Sequence, residues 1–386
     1  MNKFSKLDST APADAAPLVQ FLLYFLKLGT IGFGGPIALA ELMQRDLVEK
    51  RQWISSDDYL DGLALAQLSP GPLAAQLAIY LGFVRAGFLG ATLVGIVFIV
   101  PSFLMVLGLA IAYVRFGGLR WMQAVFYGIG GTVIAIIARA AVKLVRTVLK
   151  KDKLLWTIFF LLALSTAITE REIAWLFVAG GMVVLAIRSL PARWVQRSTT
   201  GLVLTLGGLH LSARSWEIFL FFAKAGLFVF GSGLAIVPFL HGGVVLEHHW
   251  LTERQFVDAV AVAMITPGPV VITVGFIGYL IGGFTGSLAA AMGVFLPVFL
   301  VVVVLGPYYK RFAKNPQLHA FVQGVTAAAV GAIAGAVVVI ARRTVHDWEG
   351  VAIAIISLFI LVKWKIPEPL LIAAAALAGL FLYRGT

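Results

Sequence analysis

Two short stretches interrupt long apolar runs of this sequence, and each of them occurs twice. The glycine-rich stretch from Lys27 to Gly35 is repeated from Lys224 to Ser232, and the stretch 70–72, Pro-Gly-Pro, is repeated at 267–269. Both copies are separated by the same 197 residues (224 − 27 and 267 − 70). A duplicated pair of helix breaks inside apolar segments indicates the binding site of a transporter.

The chemistry of a helix break in lipid favours an anion. Freed backbone N–H and C=O groups must find partners there, so the breaks face a cavity or a ligand. A half-helix N-terminus, as predicted at Leu73 and Val270, carries unpaired N–H groups and about half a positive charge. Glycines let a ligand oxygen approach the backbone closely. The substrate-binding candidates are Lys27, Gly34, Gly35, Gln67, Ser69, Pro70, Gly71, Pro72, Lys224, Gly231, Ser232, Thr266, Pro267, Gly268 and Pro269.

Lys27 and Lys224 lie well inside apolar runs, where an ionisable side chain is a functional candidate by default. If the two halves converge, two ammonium groups and two helix ends would form a pocket for a divalent anion. Three structural alternatives stay open. Lys27 could extend along apolar surface to the membrane interface, the glycines could serve helix packing, and the prolines could be kinks alone.

Asp61 and Asp258 also match at the 197-residue offset, and with Glu41 they are the candidates for proton coupling. The two aspartates follow predicted N-caps at Ser55 and Thr252. Acids near a helix start are favoured by the helix dipole alone, so a purely structural role is the alternative.

A metal site is not expected. His241, Glu247, His248 and His249 resemble a metal cluster in composition, but the first half has no counterpart and the segment reads as a loop. The chain has no cysteine, which excludes thiolate metal sites, iron–sulfur clusters and cysteine nucleophiles. We therefore expect neither a metal nor a cofactor.

The composition predicts a membrane protein. Of 386 residues, 60% are hydrophobic and 12% are charged, with a mean hydropathy of +0.97, and no soluble fold could bury so much apolar surface. The net charge of +12 comes from short loops between apolar runs, where basic residues set orientation and meet anionic lipid. A nucleic-acid partner is not expected. The polar residues 1–17 read as a mobile tail rather than a signal peptide.

The remaining chain divides into a first repeat at residues 18–188, a basic cytoplasmic linker at 189–215 and a second repeat at 216–386. Lysine-rich loops shift between the halves, since Lys143–Lys153 is basic in the first and Lys310–Lys314 in the second. Such a swap is typical of an inverted repeat, which needs an odd number of crossings per half. We predict an all-α polytopic membrane protein with inverted repeats and about ten crossings, in which the two broken segments of each half share one crossing and one of them is re-entrant. Twelve crossings in parallel halves is the alternative.

With these residues in view, nearly the whole chain resembles the chromate ion transporter family in its long, two-repeat form. The resemblance rests on Phe33-Gly34-Gly35-Pro36, on the stretch 70–82 that begins Pro-Gly-Pro-Leu-Ala-Ala-Gln, and on the stretch 258–273 around the second Pro-Gly-Pro. Ser232 replaces Gly35 in the second copy, so the two half-sites need not be equivalent.

The resemblance implies export of chromate across the bacterial inner membrane, giving chromate resistance. Nothing resembles a nucleotide-binding loop, so we expect an ion gradient, with protons as the candidate ion, to drive transport. Sulfate, a dianion of the same tetrahedral shape, is the alternative substrate. An intramembrane enzyme is disfavoured because the apolar runs hold no cluster of acids and histidines, and a non-transporting scaffold is a further alternative. A homodimer is an expectation that the sequence does not test.

Overall fold

The computed structural model describes residues 17–33, 35–116, 119–170, 174–189, 213–227, 233, 236–309, 315–344, 347–364 and 366–383. Across these residues every regular element is a helix, which confirms the all-α prediction. Almost all of the predicted tail and linker, and also Gly34, Gly231 and Ser232, lie outside the described residues.

The first repeat contains seven described helices: α1 (Leu18–Ile31), α2 (Gly35–Met43, extended by a π-helical turn, Gln44–Lys50), α3 (Ser56–Leu68), α4 (Leu73–Phe116), α5 (Arg120–Val148), α6 (Lys153–Thr169) and α7 (Ala174–Ser189). The second contains α8 (Ala213–Leu227), α9 (Ile236–Leu240, extended by a π-helical turn, His241–Glu247), α10 (Glu253–Ile265), α11 (Thr273–Leu305), α12 (Pro316–Thr344), α13 (Trp348–Lys363) and α14 (Glu368–Leu382). The predicted caps are confirmed, because the Ser55 side chain accepts from the backbone of Asp58, and Thr252 forms a capping box with Gln255.

Both broken segments of each half fold back as helical hairpins. The Tyr24 hydroxyl of α1 donates to the Leu42 carbonyl of α2 at 3.3 Å, and the Thr273 hydroxyl of α11 donates to the Ala259 carbonyl of α10 at 2.9 Å. Each segment therefore reverses within itself, and the number of crossings that the segments share stays a prediction. α3 has 13 residues, about 20 Å of helix, and cannot cross a hydrocarbon core of about 30 Å. Folding back buries its apolar face instead, and we call the four interruptions the hairpin tips.

α4 and α11 each contain a second turn, at Ala86–Gly87 and at Gly282–Gly283. Gly87 has a φ of +59° and Gly283 a φ of +62°, values that glycine adopts without a steric penalty. The turn divides each helix into a short arm and a long arm, which pack closely because glycines face each other across the contact. The long arm of α4, residues 88–116, is about 43 Å long, enough to span a bilayer.

The remaining helices form a scaffold in which the halves exchange partners. α12 of the second repeat packs along α6 and α7 of the first, and α5 packs along α13 and α14. In the described part of the chain, four helical stretches are long and apolar enough to cross a membrane: Leu73–Phe116, Arg120–Val148, Val270–Tyr308 and Pro316–Thr344. This composition fits a multi-pass membrane protein.

The bundle has two different ends. At one end Arg188 pairs with Asp152 beside the lysine-rich turn between α5 and α6, and we call this the basic end. At the other end Arg343 pairs with Glu170 and with Glu253 beside a large cavity, and we call this the cavity end. α5 begins at the cavity end, whereas α12, its counterpart in the second repeat, ends there.

Candidate functional site

Tips from the two halves touch each other. The backbone N–H of Gly268 donates to the carbonyl of Gly32 at 2.8 Å, and the Ser102 hydroxyl donates to the carbonyl of Gly29 at 2.9 Å. Gly268 has a φ of +98°, and a Cβ at this position would clash with Ser102. The backbone of one interruption therefore partners the backbone of the other, as freed polar groups in lipid require.

The tip between α3 and α4 is organised by a buried glutamine. The Gln76 side-chain amide donates to the Pro70 carbonyl at 2.6 Å and to the Ser69 hydroxyl at 3.1 Å, and Ser69 in turn donates to Leu65 at 2.6 Å. Gln76 is completely buried, and its Oε1 atom has no hydrogen-bond partner. Gln76 was not among the sequence candidates, although a polar residue one turn inside an apolar half-helix is a usable signal.

The tip between α10 and α11 is built differently. The Thr266 hydroxyl donates back to the Val262 carbonyl at 2.9 Å, which leaves it occupied within its own helix. A 3₁₀ turn, Val270–Ile272, precedes α11, so the half-helix predicted at Val270 begins with the tighter turn that is frequent at helix ends. Thr273 stands where the first half has Gln76 (273 − 76 = 197). The two half-sites are therefore chemically different.

Lys27 and Lys224 are both exposed, near the ends of α1 and α8. Lys27 precedes the last residue of α1 by four positions, about one helical turn or 6 Å. Exposed apolar side chains, including Leu23 and Ile31, surround it on the same face. Both lysines are therefore close to the interruptions in the sequence. Their side chains, however, do not take part in the contact between the tips. Gln67 is exposed as well.

The three acidic candidates have different surroundings. Asp258 is 3% exposed and accepts a hydrogen bond from the Tyr113 hydroxyl at 2.8 Å. Asp61 is half-buried, and its charge acts on the hydroxyl of Tyr309. Glu41 is exposed on α2.

A cavity of about 870 Å³ opens at the cavity end and reaches Asp258. Its polar and charged lining residues are Tyr127, Thr252, Glu253, Arg254, Asp258, Arg343, Thr344, Asp347, Glu349 and Tyr383. The cavity joins α5 of the first repeat to α10, α12, α13 and α14 of the second. Sequence analysis did not detect it, because its walls come from helices far apart in the chain.

The histidine-containing segment of the second half is mostly helical, and one of its histidines joins a network of polar contacts. His241 is 2% exposed, and its Nε2 lies 2.6 Å from the Glu253 carboxylate, which also contacts Arg343 at 3.3 Å. His248 stacks on Trp250. The predicted loop is a π-helical turn, His241–Glu247, over most of its length.

Comparison with known proteins identifies relatives over nearly the whole chain. The model of the chromate transporter family matches residues 19–185 and 216–380. The chromate transport protein of Cupriavidus metallidurans is 55% identical over 401 residues, with 99% of each chain covered. The probable chromate transport protein of Synechococcus elongatus is 51% identical, with 96% of each chain covered, and the chromate transport protein of Pseudomonas aeruginosa is 32% identical, with 96% of this chain and 94% of the relative covered. No solved structure matches the chain.

Proposed function

Because the chain belongs to the chromate transporter family, we propose that it exports chromate across the bacterial inner membrane and so confers chromate resistance. The family consists of transport proteins, so the chain is not an enzyme. The observation that carries the proposal is the contact between Gly268 and Gly32, which brings an interruption of each half together inside an apolar bundle.

Chromate binds at the hairpin tips in this proposal. The glycine backbone and the α4 N-terminus at Leu73 offer N–H groups to a tetrahedral dianion, as helix N-termini do for other oxyanions. Lys27 and Lys224 supply positive charge from about one turn away. Both side chains are exposed outside the tip contact, so in this proposal they act on the anion along its access path.

The two repeats are inverted in this proposal. α5 enters the cavity with its N-terminal residues Phe126 and Tyr127, whereas its counterpart α12 enters with its C-terminal residues Arg343 and Thr344. Phe88, at the start of the long arm of α4, contacts Phe299, 15 residues beyond the start of the long arm of α11 (299 − 284), which fits an antiparallel crossing. The basic end faces the cytoplasm, because basic residues concentrate on the cytoplasmic side.

The total of about ten crossings stays a prediction. In the described part of the chain eight helical segments run between the two ends, namely the long arms of α4 and α11 together with α5, α6, α7, α12, α13 and α14. The count also depends on residues 190–212, which connect Ser189 at the basic end to Ala213.

A proton gradient drives export in this proposal, with Asp61, Asp258 and Glu41 as carriers. A homodimer stays a prediction.

Chromate uptake by purified protein in liposomes, under an imposed proton gradient, tests the function and the lysines together. We expect uptake by the wild type and a loss of about tenfold or more in Lys27→Ala and in Lys224→Ala, since a desolvated anion would lose its charged partner. Lys151→Ala, an exposed lysine of the basic end, is the matched control. Wild-type uptake of sulfate in preference to chromate would replace the substrate, and unchanged uptake in both lysine variants would remove them from the site.

A further inference from the structure

Two aspartate–tyrosine pairs connect the halves, and in each pair the aspartate and the tyrosine come from different halves. Asp258 of the second half bonds to Tyr113 of the first, and Asp61 of the first half acts electrostatically on Tyr309 of the second. Asp258 follows Asp61 by 197 residues (258 − 61), and Tyr309 follows Tyr113 by 196 (309 − 113). Each acid therefore interacts with the tyrosine of the opposite repeat, Asp258 by a hydrogen bond and Asp61 by the electrostatic effect of its charge.

The pair at the cavity end is held in a rigid setting. The Tyr113 ring packs against Phe126 at 5.2 Å and Phe276 at 5.3 Å between ring centroids, so its hydroxyl has little freedom. Among the described residues no lysine or arginine nitrogen lies within ion-pair distance of Asp258. The nearby Arg254 instead donates to the Gln123 carbonyl at 3.0 Å. The hydrogen bond from Tyr113 is thus the direct stabilisation of the Asp258 carboxylate.

Water in the cavity can reach this carboxylate. Asp258 is 3% exposed and lines the cavity wall. The charged groups that share the cavity are Glu253 and Arg254 on α10, Arg343 on α12, and Asp347 and Glu349 at the start of α13. A proton that enters the cavity would meet these groups as well as Asp258.

The pair at the other end has a different exposure. Asp61 is half-buried, whereas Asp258 is buried, and Tyr309 is 6% exposed. Asp58 and Tyr80 are titratable groups near this pair, since Tyr80 interacts electrostatically with Asp58, Asp61 and Tyr309. The two pairs, equivalent in the sequence, therefore differ in which member is buried: the acid at the cavity end, where Tyr113 is half-buried, and the tyrosine at the other end.

We propose that Tyr113 and Tyr309 are gate residues, which link protonation of Asp258 and Asp61 to the contact between the two halves. An ionised carboxylate accepts a strong, charge-assisted hydrogen bond from a tyrosine O–H. A proton taken up from cavity water neutralises the carboxyl group and leaves an ordinary hydrogen bond, so α4 separates from α10 more easily. The proton returns to water at the face to which the acid next opens, and the tyrosine keeps its own proton throughout.

This inference rests on proton-driven transport as proposed above, and proton flux measured beside chromate flux tests it. Liposomes containing the purified protein and a trapped pH dye report both. We expect Tyr113→Phe to raise the proton flux without chromate by about tenfold, the size of a hydrogen bond to a charged acceptor, and to lower the chromate moved per proton. Tyr309→Phe should do the same. Asp258→Asn should lose proton-driven uptake and retain exchange of external for internal chromate.

Tyr383→Phe is the matched control, because Tyr383 lines the same cavity but its hydroxyl donates to the Gln123 amide at 3.0 Å. It should behave as the wild type. If wild-type protein moves no chromate, the proposed function fails. If it moves chromate with normal proton coupling in Tyr113→Phe and Tyr309→Phe, the gate is overturned and the function stands. Loss of chromate exchange in Asp258→Asn, in protein that elutes as a single folded species, would also overturn the gate.

Discussion

At the scale of single residues, Gln76 holds a helix break in place through its side-chain hydrogen bonds. Proline and glycine at 70–72 leave backbone groups without helical partners, and the Gln76 amide bonds one of them, the Pro70 carbonyl, together with the Ser69 hydroxyl. A buried side chain with both N–H groups engaged holds the tip in one conformation. Its unpartnered Oε1 atom leaves one acceptor for a group that donates a hydrogen bond.

We predict that Gln76→Leu impairs transport more than folding. The change removes two hydrogen bonds from the tip, about 2 kcal/mol together or roughly 30-fold in the population of the ordered tip. Chromate uptake in liposomes should fall by a comparable factor while the protein still purifies as a folded species. Gln20→Leu, at an exposed position on α1, is the control, and equal uptake in the two variants would contradict the role given to Gln76.

At the scale of elements, the molecule depends on helices that are too short to cross the bilayer. α3 and the short arm of α4 pair with each other, and so do α10 and the short arm of α11. Close packing at these contacts needs glycine, since a Cβ at Gly62 would clash with Tyr80. The pairing makes the Pro-Gly-Pro stretches the turns of the hairpins. Their backbone groups are therefore not hydrogen-bonded within a continuous helix.

Gly268→Ala should separate the two tips. The new Cβ would clash with Ser102, and alanine at a φ of +98° is strained, which costs about 1 to 3 kcal/mol. We expect lower thermal stability together with loss of chromate uptake. Gly108→Ala, at an α4 position where a Cβ meets no atom within 4 Å, should be neutral or mildly stabilising, so equal behaviour of the two variants would argue against the tip contact.

At the scale of the whole molecule, the halves are interlocked rather than side by side. α12 packs on α6 and α7, and α5 packs on α13 and α14. The hairpins of both halves meet at the tips, and the Tyr113–Asp258 hydrogen bond joins the halves at the cavity end. Rocking of one repeat against the other would therefore involve the hairpins moving against the scaffold, and the network of buried His241 with Glu253 and the exposed Arg343 lies at that boundary.

The absence of cysteine makes the inversion directly testable. Lys153 and Trp348 are the first residues of the equivalent helices α6 and α13, and both are exposed. Single Lys153→Cys and Trp348→Cys variants should react with an impermeant thiol reagent from opposite faces of the membrane, Lys153→Cys from the cytoplasm. Labelling of both from the same face would instead support parallel repeats. The unsubstituted chain is the blank.

Much of the candidate site was predictable because it depends on local rules. Ser55 and Thr252 cap helices through contacts three residues away, and Pro70 and Pro267 interrupt helices through their own rings. Whether each broken segment continues or folds back was not predictable from such rules. A helix–break–helix segment can continue or reverse, and packing against α4 and α11 decides between these outcomes.

By itself the sequence determined the membrane environment, the duplication, the helix breaks and the family, since hydropathy, proline and repeated motifs act over short spans. Only the tertiary structure decided that both breaks of each half reverse, that Gly268 meets Gly32, and that Asp258 meets Tyr113. These contacts join residues from different repeats, and no local preference specifies which distant surface a buried helix will pack against.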